Sequence, residues 1–210
     1  MKLYHYFNEL ETNQVYHYID KNIDSSFLRY YHFYNNTGMR PTEPFIGELV
    51  GDWYLIPPEL RKNGIAMQMQ LNDELKSILL EMQSFRDSKL HCKDANVCVV
   101  DILERTIMKT VRALGFTGKK LTLYSFRHSY AIRRVTMTDI FTVQRELGHK
   151  STSMTQRYLR FPEQRRLDDF PSLRAYIEER QNNVKSSISV TNNSVTKYPN
   201  VIKLNGSSSS

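Results

Sequence analysis

Residues 147–158 read Leu147-Gly148-His149-Lys150-Ser151-Thr152-Ser153-Met154-Thr155-Gln156-Arg157-Tyr158. Gly148 closes an apolar-periodic segment and suits a helix C-cap, so the chain can turn there and present His149. A helix is then expected over about Thr152–Leu159, carrying Tyr158 nine residues beyond His149. Two upstream stretches share this mixture of turn and charge: Asn36-Thr37-Gly38-Met39-Arg40-Pro41-Thr42-Glu43 and Tyr124-Ser125-Phe126-Arg127-His128. Each is ordinary alone, since a single Arg readily serves a structural ion pair and one of thirteen tyrosines is usually packing. Their order and spacing together are not ordinary.

The chain around them has 210 residues, 40% hydrophobic, 24% charged and 11% aromatic, which is the composition of a soluble globular protein with room for one ample domain or two small ones. No run approaches the roughly 20 apolar residues that span a bilayer, and the start MKLYHYFNELE lacks a signal-peptide core. The expectation is a cytoplasmic protein with no membrane partner. Cys92 and Cys98 are too few for a disulfide framework and match no common zinc spacing, so they read as two reduced structural thiols, with no metal. Lys and Arg number 29 against 22 acids, for a formal net charge of +7. Between Thr117 and Arg160 stand nine bases (Lys119, Lys120, Arg127, Arg133, Arg134, Arg145, Lys150, Arg157, Arg160) against Asp139 and Glu146, so this one segment carries the whole surplus. A solvated face is the usual meaning of a charge run; this concentration points instead to a polyphosphate partner.

Periodicity predicts two short helices between about Thr12 and Asn36, whose Tyr30, Tyr31, Phe33 and Tyr34 are expected in the core. Extended segments follow at Ile46–Val50, Trp53–Ile56 and Ile65–Leu71, with Asn63-Gly64 as a hairpin signal and Pro57-Pro58 expected at a sheet edge or bulge. Asn72 or Asp73 caps a helix with the stripe Leu75, Ile78, Leu79 and Met82; Val100, Leu103, Ile107, Val111 and Leu114 mark another, ending near Gly115. Further helices are expected at about Leu123–Val135, Asp139–Leu147, Thr152–Leu159 and Ser172–Arg180. From Gln181 the chain is rich in Asn and Ser and poor in large apolar residues, which predicts a disordered tail over 181–210. The fold class is α+β, mainly helical, with one small antiparallel sheet.

The three motifs together resemble the catalytic domain of the tyrosine recombinases, the family of phage integrases and Xer-type resolvases. Its members commonly show TGLR with a Glu three residues after the Arg, then HxLRH, then LGHxSxxxTxxY. The resemblance covers about residues 10–165 and implies a catalytic domain over 1–180. Chemistry agrees: breaking a phosphodiester without a metal requires fixed positive charge on the phosphorane, and Arg40 and Arg127 can supply it. Tyr158 would be the nucleophile and form a 3′-phosphotyrosine, with His149 donating to a non-bridging oxygen. Glu43 is expected to orient Arg40 or nearby backbone. The family also carries a lysine on a hairpin, acting as general acid. Lys62 aligns with it if Met69-Gln70-Leu71 stands for the usual Val-Pro-Leu, with Arg61 as alternate. Lys119, Lys120, Arg133, Arg134, Lys150 and Arg157 are the expected DNA contacts.

Two features depart from the family. Tyr124 stands where a His is usual, and a phenol is a poor base at neutral pH; His128, after the Arg, is expected to be structural. Only 39 residues precede Arg40, so the usual N-terminal core-binding domain is expected to be absent and binding to double-stranded DNA to be salt-sensitive. The resemblance implies a site-specific recombinase or integrase without cofactors. It further implies a homotetramer on two duplexes, with Pro171–Arg180 docking on a neighbour, and leaves room for a separate DNA-binding partner. The alternative is a DNA-binding protein derived from such an enzyme that has lost turnover.

Overall fold

A computed structural model describes residues 5–180 and 182. Helices α1 (Glu9–Asn22) and α2 (Ser25–Thr37) open the chain. Asn8 and Glu11 form a capping box on α1, and Asp24 caps α2 by accepting from the Ser26 amide. The aromatic cluster of α2 is core as expected, with Tyr30, Tyr31, Phe33 and Tyr34 all buried.

Strands β1 (Glu48–Val50), β2 (Trp53–Ile56) and β3 (Met67–Gln70) form one antiparallel sheet in that order. Tyr54, Ile56, Met67 and Met69 point inward, while Trp53, Gln68 and Gln70 face out. β2 has the expected bounds, whereas β1 and β3 are shorter than the sequence predicts. Ile46 and Ile65 fall outside the ladder, and ten residues separate Ile56 from its partner Met67. Asn63-Gly64 therefore does not form a tight two-residue hairpin. It ends a turn in which the Gly64 amide donates to the Arg61 carbonyl at 2.8 Å. Pro57 and Pro58 stand just past the central strand, opening the short 3-10 turn Pro58–Leu60, rather than at an edge or bulge.

Helices α3 (Asp73–Asp87), capped by Asn72, and α4 (Ala95–Ala113) bury the expected stripes against α1, α2 and the sheet. Cys92 and Cys98 are free thiols beside the start of α4. Helix α5 (Leu123–Met137) bridges two cores: Leu123 and Phe126 belong to the one just described, and Tyr130, Ala131, Ile132 and Val135 belong to a second. That second core is completed by α6 (Ile140–Leu147), α7 (Thr152–Leu159) and α8 (Glu163–Asp169). Helix α8 is not among those that the sequence predicts. The first compact unit runs to Leu173, and residues 172–180 are helical, as the sequence predicts. The tail expected over 181–210 lies outside the described residues, apart from residue 182.

Among the described residues no helix is long and apolar enough to cross a membrane. None of their His, Cys, Asp and Glu side chains gather in groups of three or more able to hold a metal ion.

Candidate active site

The candidate site lies where α2, α5, α6 and α7 meet the turn after β2. Helix α5 starts where the Thr122 amide donates to Ser125 Oγ at 3.0 Å. This puts Tyr124 in its first turn, 39% exposed, and Arg127 inside, with 1% of its side chain exposed. The Arg127 guanidinium joins two helix C-termini: Nη1 donates to the Gly38 carbonyl at 2.7 Å and Nη2 to the Leu147 carbonyl at 2.6 Å. Those carbonyls carry the negative ends of α2 and α6, which favours a cation between them. Burial pulls the pKa of Arg127 down, yet a guanidinium remains protonated. Its Nε is buried without a hydrogen-bond partner among the described residues, a donor that suits an anion.

Gly38 is left-handed at φ 62°, and a Cβ there would stand 2.4 Å from the Tyr130 ring. The close passage delivers Arg40 directly beyond the end of α2. Glu43 is 3% exposed and holds the next layer. Its Oε1 accepts from Arg40 Nη1 at 2.6 Å, from Arg61 Nη2 at 2.6 Å and from Arg61 Nε at 3.1 Å. Its Oε2 accepts from the Arg40 amide at 2.7 Å and lies 3.8 Å from Arg127 Nη1. Burial opposes charge on Glu43, but Arg127, the Arg40 amide, Arg61 and Arg40 outweigh it and hold the carboxyl below its ordinary range. One carboxylate thus faces three guanidiniums, leaving two positive charges uncompensated within the cluster.

Gly148, left-handed at φ 58°, caps α6 as expected. His149 follows, 6% exposed, with Nδ1 2.8 Å from Thr155 Oγ1 and its ring stacked on Tyr158 at 11°. Burial, then Arg127 and Arg40, push its pKa down to about 3, so it is neutral at physiological pH. Tyr158 is 3% exposed, and its hydroxyl lies 2.9 Å from His128 Nδ1. The His128 pKa is pushed down to about 4 by burial, Arg127 and His5, so the ring is neutral at physiological pH, and in its Nε2–H tautomer Nδ1 accepts from the phenol.

Arg40, Glu43, Arg127, His149 and Tyr158 therefore come together from separate segments. Tyr124 joins them, its ring 6.0 Å from the Arg127 guanidinium carbon. Lys62 is exposed on the 61–64 turn, which Asn63 Nδ2 ties to the Gly148 carbonyl at 2.6 Å. Arg61, the sequence alternate to Lys62, is instead buried beneath Glu43, with Nη1 donating to the Ile65 carbonyl at 2.8 Å. Three members of the expected DNA-contact set are engaged within the chain. Lys119 pairs with Glu11 at 2.7 Å and Arg134 with Glu146 at 2.6 Å; Arg133 donates to the Asn35 carbonyl and lies over Phe170. Lys120, Lys150 and Arg157 are exposed. The basic segment is thus an interleaving of buried, paired and exposed charges, not one continuous face.

Three neighbours of the site hold positions there that the sequence does not predict. Thr155 stands in the quoted motif without a role, although its three-residue step to Tyr158 puts both on one helix face. Arg61, the alternate general acid, carries no sequence signal of burial. His128, expected to be structural, touches the candidate nucleophile.

This arrangement and the helical framework around one small sheet define the fold of the tyrosine recombinase catalytic domain. The XerH site-specific recombinase bound to a palindromic difH substrate superposes with a TM-score of 0.58 at 21% identity, over 80% of this chain and 52% of that one. A lambda integrase dimer bound to a COC′ core site gives 0.57 at 15%, over 75% and 49%. The lambda integrase catalytic core gives 0.53 at 16%, over 70% of this chain and 96% of that one. The matched region thus spans about half of the two longer chains and nearly all of the isolated core. No protein-family model and no curated protein matches the sequence.

Proposed function

We propose that the chain is a site-specific DNA recombinase that cuts and rejoins strands without a metal, through a phosphotyrosine on Tyr158. One observation carries the reading: Tyr158, His149 and three guanidiniums held by Glu43 converge with positive charge to spare. Tyr158 Oη attacks phosphorus, and Arg40 and Arg127 take up the charge of the phosphorane through fixed donors. The neutral imidazole of His149 donates to a non-bridging oxygen. Lys62 protonates the departing 5′ oxygen, and a 5′ hydroxyl from a second duplex reverses the chemistry to complete exchange. Lys120, Lys150 and Arg157 contact DNA backbone. A tetramer on two duplexes is the working assembly, by analogy with the lambda integrase tetramer bound to a Holliday junction.

The test is covalent capture. Wild-type and Tyr158→Phe proteins are expressed in cells carrying the native flanking DNA, lysed in denaturant with EDTA, and any attached DNA is sequenced. An adduct that needs Tyr158 is the expected result; an adduct that persists in Tyr158→Phe removes the nucleophile assignment.

A further inference from the structure

We propose that His128 is the base that receives the Tyr158 hydroxyl proton as that oxygen attacks phosphorus. The proposal rests on the cleavage reading above and fills the place that Tyr124 leaves open in it. Residues 124 and 128 are one helical turn apart on α5, so their side chains share a face. The two rings meet edge to face with centroids 5.2 Å apart. An imidazole moved by that turn comes to rest against the nucleophile, with Nδ1 2.9 Å from Tyr158 Oη. Other acceptors nearby are already engaged: His149 Nδ1 faces Thr155 Oγ1, and Glu43 is occupied by Arg40 and Arg61.

The step balances. The Tyr158 Oη–P bond forms as the P–O5′ bond breaks; the phenol proton passes to His128 Nδ1, and the 5′ oxygen takes a proton from the Lys62 ammonium. An imidazolium replaces an ammonium, and the phosphodiester keeps its single charge as a phosphotyrosine. Rejoining reverses both transfers. In the protein alone, burial, Arg127 and His5 keep His128 neutral, and the proposal requires its Nε2–H tautomer, which leaves Nδ1 free to take the proton. A phosphodiester anion on Arg40 and Arg127 opposes the Arg127 field and raises the basicity of His128 when it is needed.

Two readouts test this on the full chain. In ¹⁵N-histidine-labelled protein without DNA, His128 should show the neutral Nε2–H tautomer, with an Nδ1 resonance that moves in Tyr158→Phe; an unmoved resonance overturns the proposal. The second uses a nicked duplex library of randomised sequence. His128→Gln should slow wild-type adduct formation by about 10²–10⁴-fold, with library binding and melting temperature unchanged. Imidazole added to His128→Gly should restore part of the rate. His128→Asn, which can accept a hydrogen bond but not the proton, substitutes if Gln does not fold. A His128→Gln rate within threefold of wild type overturns the base while leaving Tyr158 cleavage standing. Absence of any wild-type adduct removes the cleavage reading itself, and the base with it.

Discussion

Glu43 and Arg61, eighteen residues apart, form an ion pair sealed from solvent: Nη2 meets Oε1 at 2.6 Å, with side chains 3% and 1% exposed. The same carboxylate oxygen accepts from Arg40, so the pair is the base on which Arg40 stands. Removing one partner of a buried pair strands the other, at a cost of about 3–5 kcal/mol. Glu43→Ala should lose that much in urea unfolding. The double variant Glu43→Met with Arg61→Met should lose much less than the losses of the two single Met variants added together, because neither member of this pair is then stranded by removal of the other. Additive losses would mean that the two side chains act independently.

Gly148 serves the same layer from the other side. Its backbone is left-handed, and a Cβ there would stand 2.1 Å from Arg61 Nη1. Gly115 is also left-handed, at φ 68°, but a Cβ there would meet nothing within 4 Å. Gly115→Ala should therefore carry only the backbone cost of about 1–2 kcal/mol. Gly148→Ala should cost more and also slow adduct formation, since it displaces Arg61 and with it Glu43. Equal melting-temperature shifts for the two variants would show that the Arg61 contact carries no weight.

The sequence made the punctuation of this site legible and hid its packing. Gly38 before Arg40 and Gly148 before His149 announce helix ends, because a left-handed cap needs little besides local chemistry. Phe126 and Tyr130 around Arg127 mark a buried helix face by spacing alone. Arg61 was not legible, since only a contact with Glu43, distant in the chain, turns a hairpin base into a buried one. The same contact explains the hairpin: Arg61 and Asn63 are drawn inward to Glu43 and the Gly148 carbonyl, which replaces a tight turn with a longer connection. Helix α8 carries no amphipathic stripe, because its span holds one apolar residue, Leu167.

The two imidazoles of the site make stability depend on pH. His149 and His128 titrate at about 3 and about 4 when folded, through burial and then Arg127. In the unfolded chain they titrate near about 6.5. Below that value the unfolded state binds protons that the folded state refuses, so this contribution is whole above about pH 6.5 and is lost as pH falls towards the folded values. Each imidazole can contribute a slope of up to about 1.4 kcal/mol per pH unit. Unfolding measured from pH 7 to pH 5 should show stability falling with acidification, and His149→Gln should flatten the curve. Parallel curves for the variant and wild type would place the titration elsewhere.

Tyr124 lies at the exposed rim of α5, over Arg127 and against His128. An imidazole at position 124 restores the residue that the resembling family carries there. Tyr124→His should keep or raise the rate of adduct formation, and in a His128→Gln background it should recover at least part of the lost rate. Complete loss of adduct in the single variant, with folding intact, would show that the site is built around the phenol itself.

Lys62 offers the sharpest separation of chemistry from structure. It is exposed, while its neighbours Arg61 and Asn63 hold the turn in place through Glu43 and Gly148. Lys62→Ala should therefore leave the melting temperature within about 0.5 kcal/mol equivalent of wild type, as for surface substitutions in general. If Lys62 supplies the proton to the 5′ oxygen, the variant should cleave an ordinary phosphodiester more slowly, by about 10²–10⁴-fold. A 5′-phosphorothiolate changes only the leaving atom: sulfur departs as a stable thiolate and needs no proton. Cleavage of that substrate by Lys62→Ala should return to the wild-type rate. A lysine that merely holds DNA would be missed equally with oxygen and with sulfur, so rates equally depressed on both substrates would assign Lys62 to binding and move the acid to another group.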